Sequence, residues 1–107
     1  MHLTGKERTV LRGVVESLKH SFHAEQVVLF GSAARGELNE GSDVDLFVVL
    51  PTVDWPTEKK ICDVCYDAEL ETGRVFSTIC VSADEMRNAP VRYSPLVAHV
   101  QCEGLPL

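Results

Sequence analysis

Between positions 4 and 22, apolar residues recur at three- and four-residue spacing. Val10, Leu11, Val14, Val15, Leu18 and Phe22 fall on one stripe, which predicts an amphipathic helix. Thr4 followed by Glu7 forms a capping box at its start, and His20 and His23 sit near its end as surface residues favoured by the helix dipole. The pattern then changes. Residues 26–30 (QVVLF) are a short apolar run ending at Gly31, as expected for a buried strand. Ser32 to Arg35 can begin a short helix that Gly36 stops, and 37–42 (ELNEGS) reads as a polar turn. Residues 43–50 (DVDLFVVL) predict a second strand, acidic at its start and apolar in its body, ended by Pro51.

Two prolines and a tryptophan make 51–57 a connecting loop. A second long helix is predicted over 57–72, with Ile61, Val64, Cys65 and Ala68 on one face and Gly73 as its stop. Residues 75–81 (VFSTICV) are rich in β-branched side chains and predict a third strand. Ser82 and Glu85 form another capping box, opening a short helix over 83–88. A last short helix is expected over 94–103, after which Gly104 and Pro106 break regular structure. Strands alternating with helices predict an α+β two-layer fold, a small mixed β-sheet with helices packed on one face. The other side of that sheet is then free to receive a ligand.

A length of 107 residues fits a single domain, 1–107. No apolar run approaches the roughly 18 residues that span a bilayer, and the first residues are too polar for a signal peptide; this points to a cytoplasmic protein with no membrane partner. The net charge of −6 argues against direct DNA binding, which Lys and Arg drive by neutralising phosphates. It does not exclude a nucleotide, because a metal ion and backbone amides can carry that task locally. Cys62, Cys65, Cys80 and Cys102 read as reduced thiols packed as small hydrophobes. A zinc site would need Cys80 and Cys102 to converge on the Cys62–Cys65 pair, and nothing in the spacing suggests that.

The chemistry is concentrated between Val27 and Leu50. Gly31 lacks a β-carbon and lets backbone approach a bulky ligand. Ser32 offers a hydroxyl, the amides that follow can favour phosphate, and Arg35 one turn later can add a cation to the same pocket. In Asp43-Val44-Asp45 the two acids are at i and i+2, on one face of a strand and roughly 6.5–7 Å apart along the backbone. Two hard oxygen ligands side by side suit Mg²⁺, which takes one or two carboxylates together with substrate phosphates. Such a site supports phosphoryl or nucleotidyl transfer, where positioning and charge neutralisation supply most of the catalysis.

Gly31-Ser32, ten intervening residues, then Asp43-x-Asp45 has the G-S-x10-D-x-D form of the DNA polymerase β-like nucleotidyltransferase superfamily. Length, element order and the ending Ser94-Pro95-Leu96 … Glu103-Gly104 resemble its minimal nucleotidyltransferase branch over most of the chain. The resemblance implies a nucleoside triphosphate, expected to be ATP, held with Mg²⁺ at Asp43 and Asp45. Gly31 and Ser32 would contact the triphosphate, assisted by Arg35 and Ser42. A nucleoside monophosphate would pass to a hydroxyl, which in similar small proteins can be a tyrosine on a partner toxin, the transferase acting as antitoxin. Members of the superfamily often carry a third carboxylate on a later strand. Here 75–81 contains no acid, and Ser77 or Val75 occupies that place; Asp63, Asp67, Glu69, Glu71, Asp84 and Glu85 lie outside it. The alternative is therefore a non-catalytic antitoxin that neutralises a HEPN-type ribonuclease by binding it. Transfer to a small molecule such as an aminoglycoside ranks last, since an acceptor pocket would have to come from a homo-oligomer or a partner.

Overall fold

The computed structural model describes residues 3–37, 42–88 and 90–107, so most of the polar turn expected over 37–42 lies outside the described residues. Helix α1 runs from Gly5 to His20, and Thr4 caps it through the reciprocal bonds expected with Glu7. Strand β1 (Gln26–Phe30) leads through Gly31 into α2, a single turn from Ser32 to Arg35 that ends at left-handed Gly36. Strand β2 spans Val44–Leu50, α3 Trp55–Thr72 and β3 Phe76–Ser82. Helix α4 (Ala83–Arg87) opens on the Ser82–Glu85 capping box, and α5 (Pro95–Glu103) follows a short 3-10 turn at Val91–Tyr93.

Helix α3 begins two residues before its expected start. Asp54 accepts the Thr57 amide at 2.8 Å, and Pro56 is tolerated in the first turn because an amide there has no partner within the helix. Pro56, which reads as loop, is thus part of a helix start, while Pro51 stays ahead of it.

The sheet is mixed and four-stranded, in the order β3-β2-β1-β4. Strands β1 and β2 pair antiparallel, while β2 and β3 pair parallel through the α3 crossover. The α+β fold with a small mixed sheet is thus observed, and α1 and α3 share one face as expected. Val44, Leu46, Val48 and Leu50 of β2 pack there with Leu11, Val14, Leu18, Ile61, Cys65 and Ala68.

The opposite face departs from the expectation that it is open. Phe47 and Val49 of β2 are buried with Val81, Ala83 and, from α5, Val97 and Val100. A strand apolar on both faces needs cover on both, and β2 is buried at every position from Leu46 to Leu50. The second correction concerns the C-terminus. Leu105 and Pro106 form a short β4 against Val28 and Leu29 of β1. Gly104 permits that turn, because a β-carbon there would collide with the Val100 carbonyl and the Val28 side chain. Pro106 is compatible with the position because an edge strand can spare an amide.

One buried polar contact links the layers. Arg74, just after the Gly73 stop of α3, donates from Nε to Glu7 Oε2 at 2.6 Å. Both side chains are 9% exposed. The Arg74 guanidinium, followed by the Thr4 amide, holds the Glu7 carboxyl below its ordinary value of 4.5. A depressed carboxylate stabilises the fold above the unfolded-state pKa and loses that contribution as pH falls through the lower folded value. Arg74→Met should therefore cost about 2–4 kcal/mol at pH 7, between an exposed pair and a deeply buried one, measured by urea denaturation. Glu7→Gln should flatten the loss of stability that the parent protein shows on acidification below about pH 4.5. Equal acid sensitivity in the two proteins would contradict this assignment.

Candidate active site

The β1–β2 register builds the site. Phe30 pairs with Asp45, so Gly31, the next residue along β1, lies beside the Asp45 carboxylate. The approach is tight: a β-carbon on Gly31 would stand 2.7 Å from Asp45 Oδ2. Gly31 also has φ +73°, a conformation that side chains rarely adopt. Glycine is thus required twice over, by backbone angle and by space. Ser32 follows as the first residue of α2, and its carbonyl accepts the Glu37 amide at 2.9 Å.

Asp45 lies on the Phe47 face of β2 by strand alternation, while Val44 is fully buried against the α1–α3 layer. Asp43 precedes the strand and is exposed, whereas Asp45 is partly buried. Burial, and then the charge of Asp43, raises the Asp45 carboxyl above its ordinary value of 3.8. The two acids stand two residues apart at the entry of β2, where their like charges repel. Repulsion of this kind is relieved by a proton or, more effectively, by a divalent cation. Among the described residues no group of three or more His, Cys, Asp or Glu side chains is arranged to hold a metal. A cation at Asp43 and Asp45 would therefore complete its shell from ligand oxygens and water, as Mg²⁺ does.

The other expected residues are placed less simply. Arg35 Nε donates to Glu37 Oε2 at 3.0 Å and Nη1 to Glu103 Oε2 at 3.2 Å, so its guanidinium is engaged by two carboxylates. Glu37, then Glu103, raises its pKa. His99 Nε2 lies 3.1 Å from the same Glu103 oxygen, which makes the end of α5 a brace for α2. Ser42 offers its carbonyl to Arg74 Nη1 at 2.8 Å. On β3, Ser77 pairs with Asp45, so Ser77 rather than Val75 stands beside the acid on the neighbouring strand. Asp63, Asp67 and Glu71 belong to α3, behind the opposite face of the sheet; Glu69 lines an edge cavity with Ser77, Cys62 and Tyr66.

Two features escaped the sequence reading. Arg74 and Glu103 are a lone cation in a turn and a lone acid at a helix end, with no local pattern to mark them. All four cysteines are free thiols, with Cys65 buried, Cys80 partly buried and Cys62 and Cys102 exposed. Burial first, then Cys62 and Cys80, pushes the Cys65 thiol up to about 11, which keeps it protonated and unreactive at neutral pH.

Comparison with known proteins agrees with this geometry. The family model of the nucleotidyltransferase domain matches residues 11–87, from α1 to the end of α4. A curated protein of Methanocaldococcus jannaschii, named a putative protein adenylyltransferase, is 31% identical over 90 residues, covering 82% of this chain and 85% of the relative. Among solved structures, a chain of a mutant toxin–antitoxin MntA-HpeT complex superposes with a TM-score of 0.63 at 16% identity, over 91% of this chain and 70% of the other. That likeness concerns the fold. Among the described residues no helix is long and apolar enough to cross a membrane. With the matched span taking in the Gly31 corner, both acids and the β2–α3–β3 crossover, this chain belongs to the nucleotidyltransferase domain family.

Proposed function

We propose that this chain, acting as a single domain, binds Mg²⁺ and a nucleoside triphosphate, ATP by preference, and transfers AMP to a hydroxyl on a protein partner. The observation that carries the reading is the closure of Gly31 onto Asp45, which is itself charged against Asp43. In this reading Asp43 and Asp45 hold the cation, Gly31 and Ser32 receive the triphosphate, and Arg35 and Ser42 assist from the rim. Bound there, the cation would neutralise phosphate charge as pyrophosphate leaves. The acceptor oxygen forms a bond to the α-phosphorus, the α–β bridging P–O bond breaks, and the acceptor proton passes to solvent or to a partner base. Gly31 would keep side-chain bulk away from the phosphates, and Asp45 would fix the cation relative to them. For Arg35 to reach a phosphate, it would exchange Glu37 or Glu103 for the new anion.

The curated relative's name supports adenylyl transfer to protein, and the toxin–antitoxin neighbour supports a toxin as the acceptor, of HEPN type in this reading. A second reading has one specific observation in its favour. Ser77 stands beside Asp45 where an acid could have activated the acceptor, which suits an antitoxin that works by binding alone.

Incubation with α-labelled ATP, Mg²⁺ and the product of the neighbouring gene separates the two. Labelled partner is expected, with Asp43→Asn and Asp45→Asn lowering the rate roughly 10²–10³-fold, the several kcal/mol that a bound cation supplies. Tight complex formation without label would favour the second reading, and undiminished labelling by Asp45→Asn would remove the first.

Two further outcomes follow from the same geometry. Asp45 has a raised folded pKa, so its charge costs stability above that value and the cost disappears as pH falls through it. Asp45→Asn should thus slightly raise thermal stability without metal, by less than about 1 kcal/mol after solvent screening, while abolishing the shift that Mg²⁺ and ATP produce. A drop in metal-free stability would contradict it. Gly31→Ala places a methyl group against Oδ2 in a strained conformation and should cost about 1–3 kcal/mol together with cation binding, checked by denaturation and calorimetry.

A further inference from the structure

Residue 43 is held from both sides by one segment. The carbonyl of Ser42 accepts from Arg74 Nη1 at 2.8 Å, and the amide of Val44 donates to the Val75 carbonyl at 2.9 Å. Asp43 lies between these bonds, ahead of β2 and exposed, with no strand pairing of its own. Arg74 is in turn fixed by Glu7, whose other oxygen accepts the Thr4 amide at 2.9 Å within the α1 capping box. A continuous run of bonds therefore links the start of α1, through a guanidinium, to the peptide that enters Asp43.

We infer that Arg74, anchored by Glu7, is a positioning residue that sets the backbone at Asp43 and so directs its carboxylate to the cation shared with Asp45. The inference rests on the reading of Asp43 and Asp45 as a cation site. An ion pair serving stability alone would need only the Glu7 contact. Here the planar fork of arginine sends Nε to Glu7 and Nη1 to Ser42, a divergence that a lysine ammonium on its flexible stem does not reproduce. Ligands held through such outer contacts typically lose affinity when the contact is removed.

The test uses Arg74→Lys, which keeps a cation for Glu7, with Glu7→Gln as a second variant should the first fail to fold. Mg²⁺ binding is measured by calorimetry with a non-hydrolysable ATP analogue, and amide hydrogen exchange is followed at Asp43 and Val44. The expected result is cation binding weaker by roughly tenfold, with faster exchange at those two amides and unchanged exchange within β1. A folded variant with parental cation affinity overturns the inference, whether or not exchange changes. Asp43→Asn is the separate control on the underlying reading: if it binds the cation as the parent does, that reading fails. The exchange arm then decides the geometry alone, with unchanged protection at Asp43 and Val44 overturning the clamp.

Discussion

The pairing of Phe30 with Asp45 is the constraint on which the rest of this molecule turns. A one-residue slip between β1 and β2 would send Asp45 toward the α1–α3 layer and Val44 outward, because side chains alternate along a strand. It would also separate the glycine corner from the acid. Register is secured by the apolar residues on both faces of β2. Leu46, Val48 and Leu50 commit one side to α1 and α3, and Phe47 and Val49 commit the other to α5. The hydrophobic core thereby fixes the position of a charged group that it does not contain.

Covering both faces creates a further requirement, since a ligand needs part of the sheet left accessible. The solution lies in where α5 packs. Val97 and Val100 cover Phe47 and Val49 in the later part of β2, and Asp45 precedes that cover. The C-terminal end of α5 is then held by Glu103, which bonds Arg35 of α2 and lies within reach of His99. The same few residues that follow the Gly31 corner thus also hold the covering helix. In the proposed reading, a phosphate competing for Arg35 would act on that contact and so bear on the seating of α5.

Local patterns were legible in the sequence, and long-range contacts were not. Thr4 with Glu7 and Ser82 with Glu85 mark helix starts because the capping bonds span only three residues. The side of the sheet on which Asp45 lies follows from strand alternation, which is local too. By contrast, Leu105 and Pro106 look like an irregular tail, and only β1 makes them a strand. Helix α5 reads as an ordinary short helix, and nothing in its residues reveals which face of the sheet it covers. Arg74 is the clearest case: Glu7 lies 67 residues before it, and the pair is recognisable only once α1 and the α3–β3 turn are brought together.

The residue opposite Asp45 bears most on how transfer would proceed. Ser77 is uncharged, and the two acids that follow β3 are directed elsewhere. Glu85 is engaged in its capping box, and Asp84 pairs with Arg87. Both follow Ser82, which pairs with Leu50, five residues along β2 from Asp45 and so roughly 16 Å away at strand spacing. Proton removal from an acceptor hydroxyl is then not provided by β3. A tyrosine acceptor is chemically suited to such a site, since a phenol gives up its proton far more readily than an alkyl hydroxyl. In the proposed reading, two carboxylates without a third acid on β3 would suit a phenol better than a sugar or aliphatic alcohol.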